Sequence, residues 1–215
     1  MSRQAQNEYK LSKEEINTNN ELYEDFIREY GNTAEGLGWN SKKQQELRFE
    51  IMLKIAEFCN EPIDNSSILD IGCGFADLYS YIQEKKHPVS YTGVDINPYA
   101  LKTAAERYNS IKLIEGNVLQ LKIPKHDFVF SSGLFATKIN DNNKFIKSMI
   151  SKMIGLANIG VAFNFLQKTQ FESNLAEYDK KEIYRFCKNN FKNVKMFDSY
   201  LGSEDVTILI SKEKM

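Results

Sequence analysis

From Ser67 onward, short apolar runs alternate with stretches of helical periodicity, and that alternation by itself predicts an architecture. The runs ILDI, SYTGVD, IKLIE, DFVFS and GVAFNF read as buried strands. Helical patterns follow over 75–85, 98–108 and 142–156. This order predicts a parallel sheet with helices wound on both faces. The C-terminal part departs from it. After a helix over 179–190, opened by a capping box of Asp179 and Glu182, the runs NVKMFDSY and DVTILIS are separated only by LGSE. Four residues cannot carry a parallel crossover, so these two strands must form an antiparallel hairpin at the sheet edge. The expected fold is therefore α/β: a doubly wound, mostly parallel, seven-stranded sheet with an antiparallel C-terminal hairpin.

Ahead of the sheet, residues 1–61 read as a helical extension to a core over 62–215. Two helical patterns, 10–30 and 41–58, flank the polar, Gly-rich stretch GNTAEGLGWN. Ser41 with Gln44 resembles a capping box, and Leu47, Ile51, Ile55 and Phe58 mark the apolar face of the second helix. No repeat and no linker rich in Pro, Gly or Ser divides the chain further.

Composition narrows the partners. With 28 basic and 29 acidic residues the net charge is -1, so no global field draws the chain to polyanions, which disfavours nucleic acid as a partner. Cys59, Cys73 and Cys187 are too far apart in sequence for a metal knuckle or redox pair, and their odd number argues against a disulfide framework. A reducing cytoplasm is the expected location. The N-terminus lacks an apolar signal core, and the most apolar stretch, 149–166, is interrupted by Lys152, Gly155, Asn158 and Gly160, so neither secretion nor membrane insertion is expected. No metal site is expected.

The segment ILDIGCGFAD sets Gly72 and Gly74 directly between a buried strand and a helix. Glycines there let the backbone turn tightly and approach a ligand closely. Asp95 closes the next strand, 23 residues after Gly72, the interval at which an acid can accept hydrogen bonds from ribose hydroxyls. A nucleoside-bearing cofactor follows. A dinucleotide fingerprint would need a glycine where Asp77 stands, and a carboxylate there repels a pyrophosphate.

At these residues the chain resembles the class I S-adenosylmethionine-dependent methyltransferases, whose first motif is matched by Leu69, Asp70, Gly72 and Gly74, with Ala76 in place of the last glycine. The likeness extends to Asp95, to Gly116-Asn117 after the third strand and to the edge hairpin. It implies a Rossmann-like fold, S-adenosylmethionine as cofactor, and cofactor contacts at Asp70, Gly72, Gly74, Asp95, Ile96, Asn117, Val118 and Ser132. Where the family often carries Asp facing the adenine amine, the Asn117 amide oxygen can still accept. Asp70 has two readings, cofactor contact or acceptor for backbone N–H groups of the glycine loop. The stretch YGNTAEGLGWNSKKQQELRF is also similar to one recurring in small bacterial methyltransferases.

Around this core stand the acceptor candidates. Ser131, Ser132, Gly133 and Phe135 occupy the loop beyond the fourth strand, which carries SSGLFATK instead of the Asn/Asp-Pro-Pro-aromatic motif of nucleobase amine methyltransferases. Trp39, Gln45, Gly133, Phe135 and Asn164 are taken as the acceptor pocket. Arg48, whose planar fork suits a carboxylate, is assigned to the cofactor side. The competing reading makes Arg48 a surface residue and Trp39 a core plug. No acid–base pair is evident; Tyr30, Tyr178, Tyr184 and Tyr200 are candidate bases. His87 and His126 precede strands, at the edge opposite the ligand, and read as solvated loop residues.

The sequence therefore predicts transfer of the sulfonium methyl of S-adenosylmethionine to a small-molecule acceptor. The alternatives are an RNA or protein methyltransferase and a non-catalytic cofactor-binding subunit. The extension is expected to cover the site, with Arg48→Ala impairing turnover more than melting temperature.

Overall fold

The computed structural model describes residues 9–168, 175–201 and 204–212. Among these residues seven strands form one sheet: β1 (Ser67–Ile71), β2 (Ser90–Asp95), β3 (Lys112–Glu115), β4 (His126–Ser131), β5 (Ala157–Leu166), β6 (Asn193–Asp198) and β7 (Asp205–Ser211). Their order is β3-β2-β1-β4-β5-β7-β6. The first five run parallel, and β7 enters antiparallel between β5 and β6. The reversal of strand order between β1 and β4 is the place where sheets of this kind open a crevice for ligands.

Among the described residues seven α-helices accompany the sheet: α1 (Lys13–Tyr30), α2 (Lys42–Leu53), α3 (Ile55–Cys59), α4 (Asp77–Glu84), α5 (Pro98–Arg107), α6 (Asn142–Leu156) and α7 (Lys180–Asn190). Because side chains alternate across a strand, adjacent residues enter different cores. Ile68 joins Phe49, Met52, Ile55, Leu78 and Ile82 on one face, whereas Leu69 joins Phe145, Met149, Met153 and Ile183 on the other. Thus α2, α3 and α4 cover one face of the sheet, and α6 and α7 the other.

The helix expected over 41–58 is divided at Lys54, which ends α2 and precedes α3. Its start is capped by Ser41, which accepts from the Gln44 N–H at 3.3 Å. A reciprocal capping box instead opens α1: the Ser12 hydroxyl accepts from the Glu15 N–H, and the Glu15 carboxylate accepts from the Ser12 N–H. Asn97 caps α5 with Pro98 at its first turn. Strand β5 is longer than expected, because apolar burial and pairing begin at Ala157.

His87 is an exposed partner of Asp64 at 2.5 Å. His126 differs from its expectation: it begins β4, is buried, and bonds to the Pro124 carbonyl and the Thr92 hydroxyl. Burial lowers its pKa. Both still lie at the strand edge away from the glycine turn.

Candidate functional site

The glycine turn is built by backbone conformation. Gly72 and Gly74 have φ of +74° and +52°, in the left-handed region that favours residues without a Cβ. A Cβ on Gly74 would stand 2.9 Å from Leu37, so the segment ahead of α2 lies directly on the turn. Ala76, where the motif has its last glycine, keeps a left-handed φ of +61° and is fully buried.

The turn's own hydrogen bonds decide what it can hold. The Gly72 and Cys73 N–H groups donate to the Val94 carbonyl, the Ala76 N–H to the Cys73 carbonyl, and the Gly74 N–H to Asp95 Oδ2 at 2.8 Å. A pyrophosphate cradle needs such N–H groups turned outward. Here they are engaged internally, and Asp77 places a carboxylate in the first turn of α4. Asp77 is held by Arg107 and by the Gln45 amide, each at 3.0 Å. The internal bonds of the turn and the Asp77 carboxylate disfavour a pyrophosphate and suit a cofactor without phosphates.

Asp95 binds one backbone N–H with each oxygen, Gly74 at Oδ2 and Asn97 at Oδ1. Each oxygen keeps a lone pair for a ribose hydroxyl. Burial raises its pKa, opposed by the N–H groups of Asn97, Gly74 and Ile96. Asp70 accepts from the Tyr91 hydroxyl at 2.6 Å, and among the described residues no loop N–H donates to it. Burial pushes its pKa up to about 7, against the Tyr91 hydrogen bond and with help from the charges of Asp95 and Asp77.

At Asn117 the side chain presents both an acceptor and a donor. Its amide oxygen is engaged by the Leu119 N–H at 3.0 Å, while its buried Nδ2 has no partner. The side chain therefore offers an unsatisfied donor to the site, suited to a ring-nitrogen acceptor, and the remaining oxygen lone pair to an amine.

These groups line one cavity of about 280 Å³, which also takes in Gly72, Gly74, Ile96, Val118, Ser132, Gly133, Trp39 and Gln45. Its roof is α1, which contributes Glu15, Asn19, Leu22, Tyr23, Phe26 and Ile27 from one face, preceded by Leu11. Thr137 donates to Asn19 Oδ1 at 2.8 Å, tying the loop after β4 to that roof. Sequence reading missed this face. Its signal was the spacing 15, 19, 22, 23, 26, masked by Glu and Asn at positions where an apolar stripe is sought.

Three sequence-assigned residues fall elsewhere. Arg48 has no free fork: it makes two 2.7 Å bonds to the Asp205 carboxylate, stacks its guanidinium 4.7 Å from the Trp39 ring centroid, and is 6% exposed. It lines a second, smaller cavity, so the assignment to a cofactor carboxylate is corrected to a buried latch between α2 and β7. Asn164 touches that second cavity and braces the loop after β4, accepting from the Gly133 N–H and donating to the Ser132 hydroxyl. Phe135 is 1% exposed, packed edge-on among Phe145, Phe163 and Tyr178. Of the tyrosines named as bases, Tyr178 donates to the Phe135 carbonyl and Tyr200 pairs with Thr207, burial raising each pKa to about 12. Tyr184 packs against the α6–α7 core and Tyr30 is exposed. None of the four lines the main cavity; Tyr23 does.

Fold and site together are similar to those of class I S-adenosylmethionine-dependent methyltransferases. Residues 68–153 match the family described as a methyltransferase domain. Among curated proteins, the chain is 24% identical over 159 residues to "Putative methyltransferase Rv1506c" of Mycobacterium tuberculosis, covering 69% of this chain and 95% of that one. Among solved structures, it is similar to the plantazolicin methyltransferase BamL, with TM-score 0.62 and 14% identity over 93% of this chain and 97% of that one. A S-adenosylmethionine-dependent methyltransferase from Clostridium acetobutylicum gives TM-score 0.60 and 15% identity over 92% and 99% of the two chains. The matched domain is that of methyltransferase enzymes, and the Clostridium acetobutylicum neighbour is S-adenosylmethionine-dependent. No helix among the described residues is long and apolar enough to cross a membrane.

Asp95→Ala is expected to weaken S-adenosylhomocysteine binding by about 1.5 to 3 kcal/mol, the range for hydrogen bonds to a charged group. Asn117→Ala costs less, since a neutral amide binds more weakly. Because Asp95 also holds Gly74 and Asn97, its loss lowers the melting temperature as well. Calorimetry and a thermal scan read both effects; an unchanged dissociation constant removes Asp95 from the ribose site.

Proposed function

We propose that this enzyme methylates a small molecule, and that 13–41 forms the cover of its site. The observation supporting this reading is the roof: α1 and the Leu37–Trp39 segment lie over the glycine turn, leaving a partly enclosed cavity instead of an open groove with a basic rim. A macromolecular acceptor needs the latter.

In this reading Asp95 and Asn117 hold the nucleoside, and Asp70 supplies negative charge for a cationic ligand. When bound, S-adenosylmethionine supplies an activated methyl group, so the protein's part is position and exclusion of water. Gln45 fixes Asp77, Asn164 fixes Ser132 and Gly133, and Trp39 stacks on Arg48 while packing on Gly133. Each bond makes the lining around the reacting groups more rigid. Leu37 packs with Ile27, Phe75 and Ala100, which carries the cover onto the residue after Gly74.

The test is transfer of tritiated methyl from the cofactor into a cell extract divided by molecular mass. Label is expected in the low-mass fraction; label confined to RNA or protein overturns the reading. The cover makes a separate prediction. Proteolysis between Gly31 and Asn40 is expected to slow several-fold when S-adenosylhomocysteine is added, because ligand stabilises the closed arrangement. Cleavage indifferent to ligand would make the segment a fixed support.

A further inference from the structure

We infer that the arm of the cavity beneath α1 is the acceptor site, and that it takes an apolar molecule bearing an amine, hydroxyl or thiol nucleophile and rejects carboxylates. This rests on the small-molecule reading above and deepens it. The ends of β1, β2 and β3 supply the polar groups already assigned to the cofactor. The opposite lining comes from α1 and α6 and is apolar: Leu11, Leu22, Phe26, Phe145 and Met149. Within it stand Tyr23 and the bonded pair Asn19 and Thr137, uncharged groups that can donate to or accept from one polar atom. A cavity of this composition buries a hydrocarbon body and orients a single polar head.

Charge then selects the head. Glu15, Asp70, Asp77 and Asp95 line the cavity, and among the described residues no Lys, Arg or His does. Glu15 is a standing negative charge on the α1 side: burial raises its pKa, but hydrogen bonds from Tyr9, Ser12 and Asn140 outweigh this and hold it at about 2. A carboxylate entering beneath α1 would lose its water, meet no cationic side chain and face Glu15. A neutral hydroxyl or thiol avoids that cost, and an amine is favoured in its protonated form on entry. An amine gives its extra proton to solvent before the transfer; the lone pair of the neutral nucleophile then forms the new bond to the methyl carbon as the carbon–sulfur bond breaks. That bonding pair goes to sulfur, giving S-adenosylhomocysteine, and the nucleophile's proton passes to solvent.

The test uses three probes with one apolar body, octylamine, octanethiol and octanoate, titrated at pH 7.5 into the protein saturated with S-adenosylhomocysteine. Octylamine or octanethiol is expected to bind at least about tenfold more tightly than octanoate, which lacks any charge partner in the site. Leu22→Lys, which places a cation in the apolar lining, is expected to narrow or invert that ratio. Octanoate binding as tightly as the other two to the unmodified protein, or no binding by any of the three, overturns the inference. A second measurement separates it from the reading beneath it. The low-mass extract is split on an anion exchanger before the methyl-transfer assay, and acceptor activity is expected in the unretained, solvent-extractable fraction. Activity only among retained acids sinks this inference and leaves a small-molecule methyltransferase standing; label only in macromolecules sinks both.

Discussion

Arg48→Ala is expected to destabilise the protein by about 3 to 5 kcal/mol, the range for removing one partner of a buried ion pair. Asp205 is 5% exposed, and both its oxygens are bonded to the Arg48 fork at 2.7 Å. Burial pushes the Asp205 pKa up and Arg48 pulls it down, so truncating the arginine leaves a carboxylate that must either take a proton or stay charged without a partner. The stacked Trp39 ring loses its cation at the same time. The melting temperature therefore falls more than a turnover role alone would produce, reversing the expectation drawn from sequence. The double variant Arg48→Met/Asp205→Leu should recover much of the loss, because an apolar pair of similar volume leaves no buried charge. A melting temperature for Arg48→Ala within a degree or two of the parent would show that the pair contributes little.

The same residue illustrates where sequence reading stops. The sheet was legible because its signals are local: short apolar runs, the glycines between ILDI and the next helix, and a four-residue connection that permits only a hairpin. Asp95 was legible because its distance from Gly72 follows from the length of one βαβ unit. Arg48 was not, since its partner lies 157 residues away on β7 and nothing near Arg48 marks Asp205. The residues 42–59 were read with the cover, yet Met52 and Ile55 are fully buried against the sheet. Helical periodicity shows that a face is buried and leaves open what buries it. Likewise, Asn117 could be assigned to the site by its place after β3, but which amide atom is free depends on the Leu119 N–H, a bond set by the turn's geometry.

The second large effect concerns Asp70. Its pKa of about 7 in the folded protein lies far above the usual aspartate value near 4, so the fold favours the protonated form. The folded state therefore binds more protons between about pH 4 and 7, stability falls as pH rises through that window, and the loss is complete above it. At 1.36 kcal/mol per pKa unit, the ionised carboxylate costs on the order of a few kcal/mol at pH 8. Asp70→Asn, which keeps an acceptor for the Tyr91 hydroxyl, is therefore expected to raise the melting temperature at pH 8 by several degrees and to change it little at pH 4. The groups facing Asp70 are Tyr91 and Asp95 from β2 and Asp77 from α4, two acids and a neutral donor, so no fixed cation relieves the charge. A ligand carrying an ammonium group does, and it prefers the ionised form. Affinity for S-adenosylhomocysteine should accordingly rise from pH 6 to pH 8 with release of a proton, a dependence that calorimetry in buffers of different ionisation enthalpy resolves. In the Asp70→Asn protein the affinity should be lower at pH 8 by at least about tenfold and nearly flat with pH. If the variant is no more stable at pH 8 and binds as tightly as the parent, Asp70 is ionised at ordinary cost in the fold and takes no part in holding the cofactor.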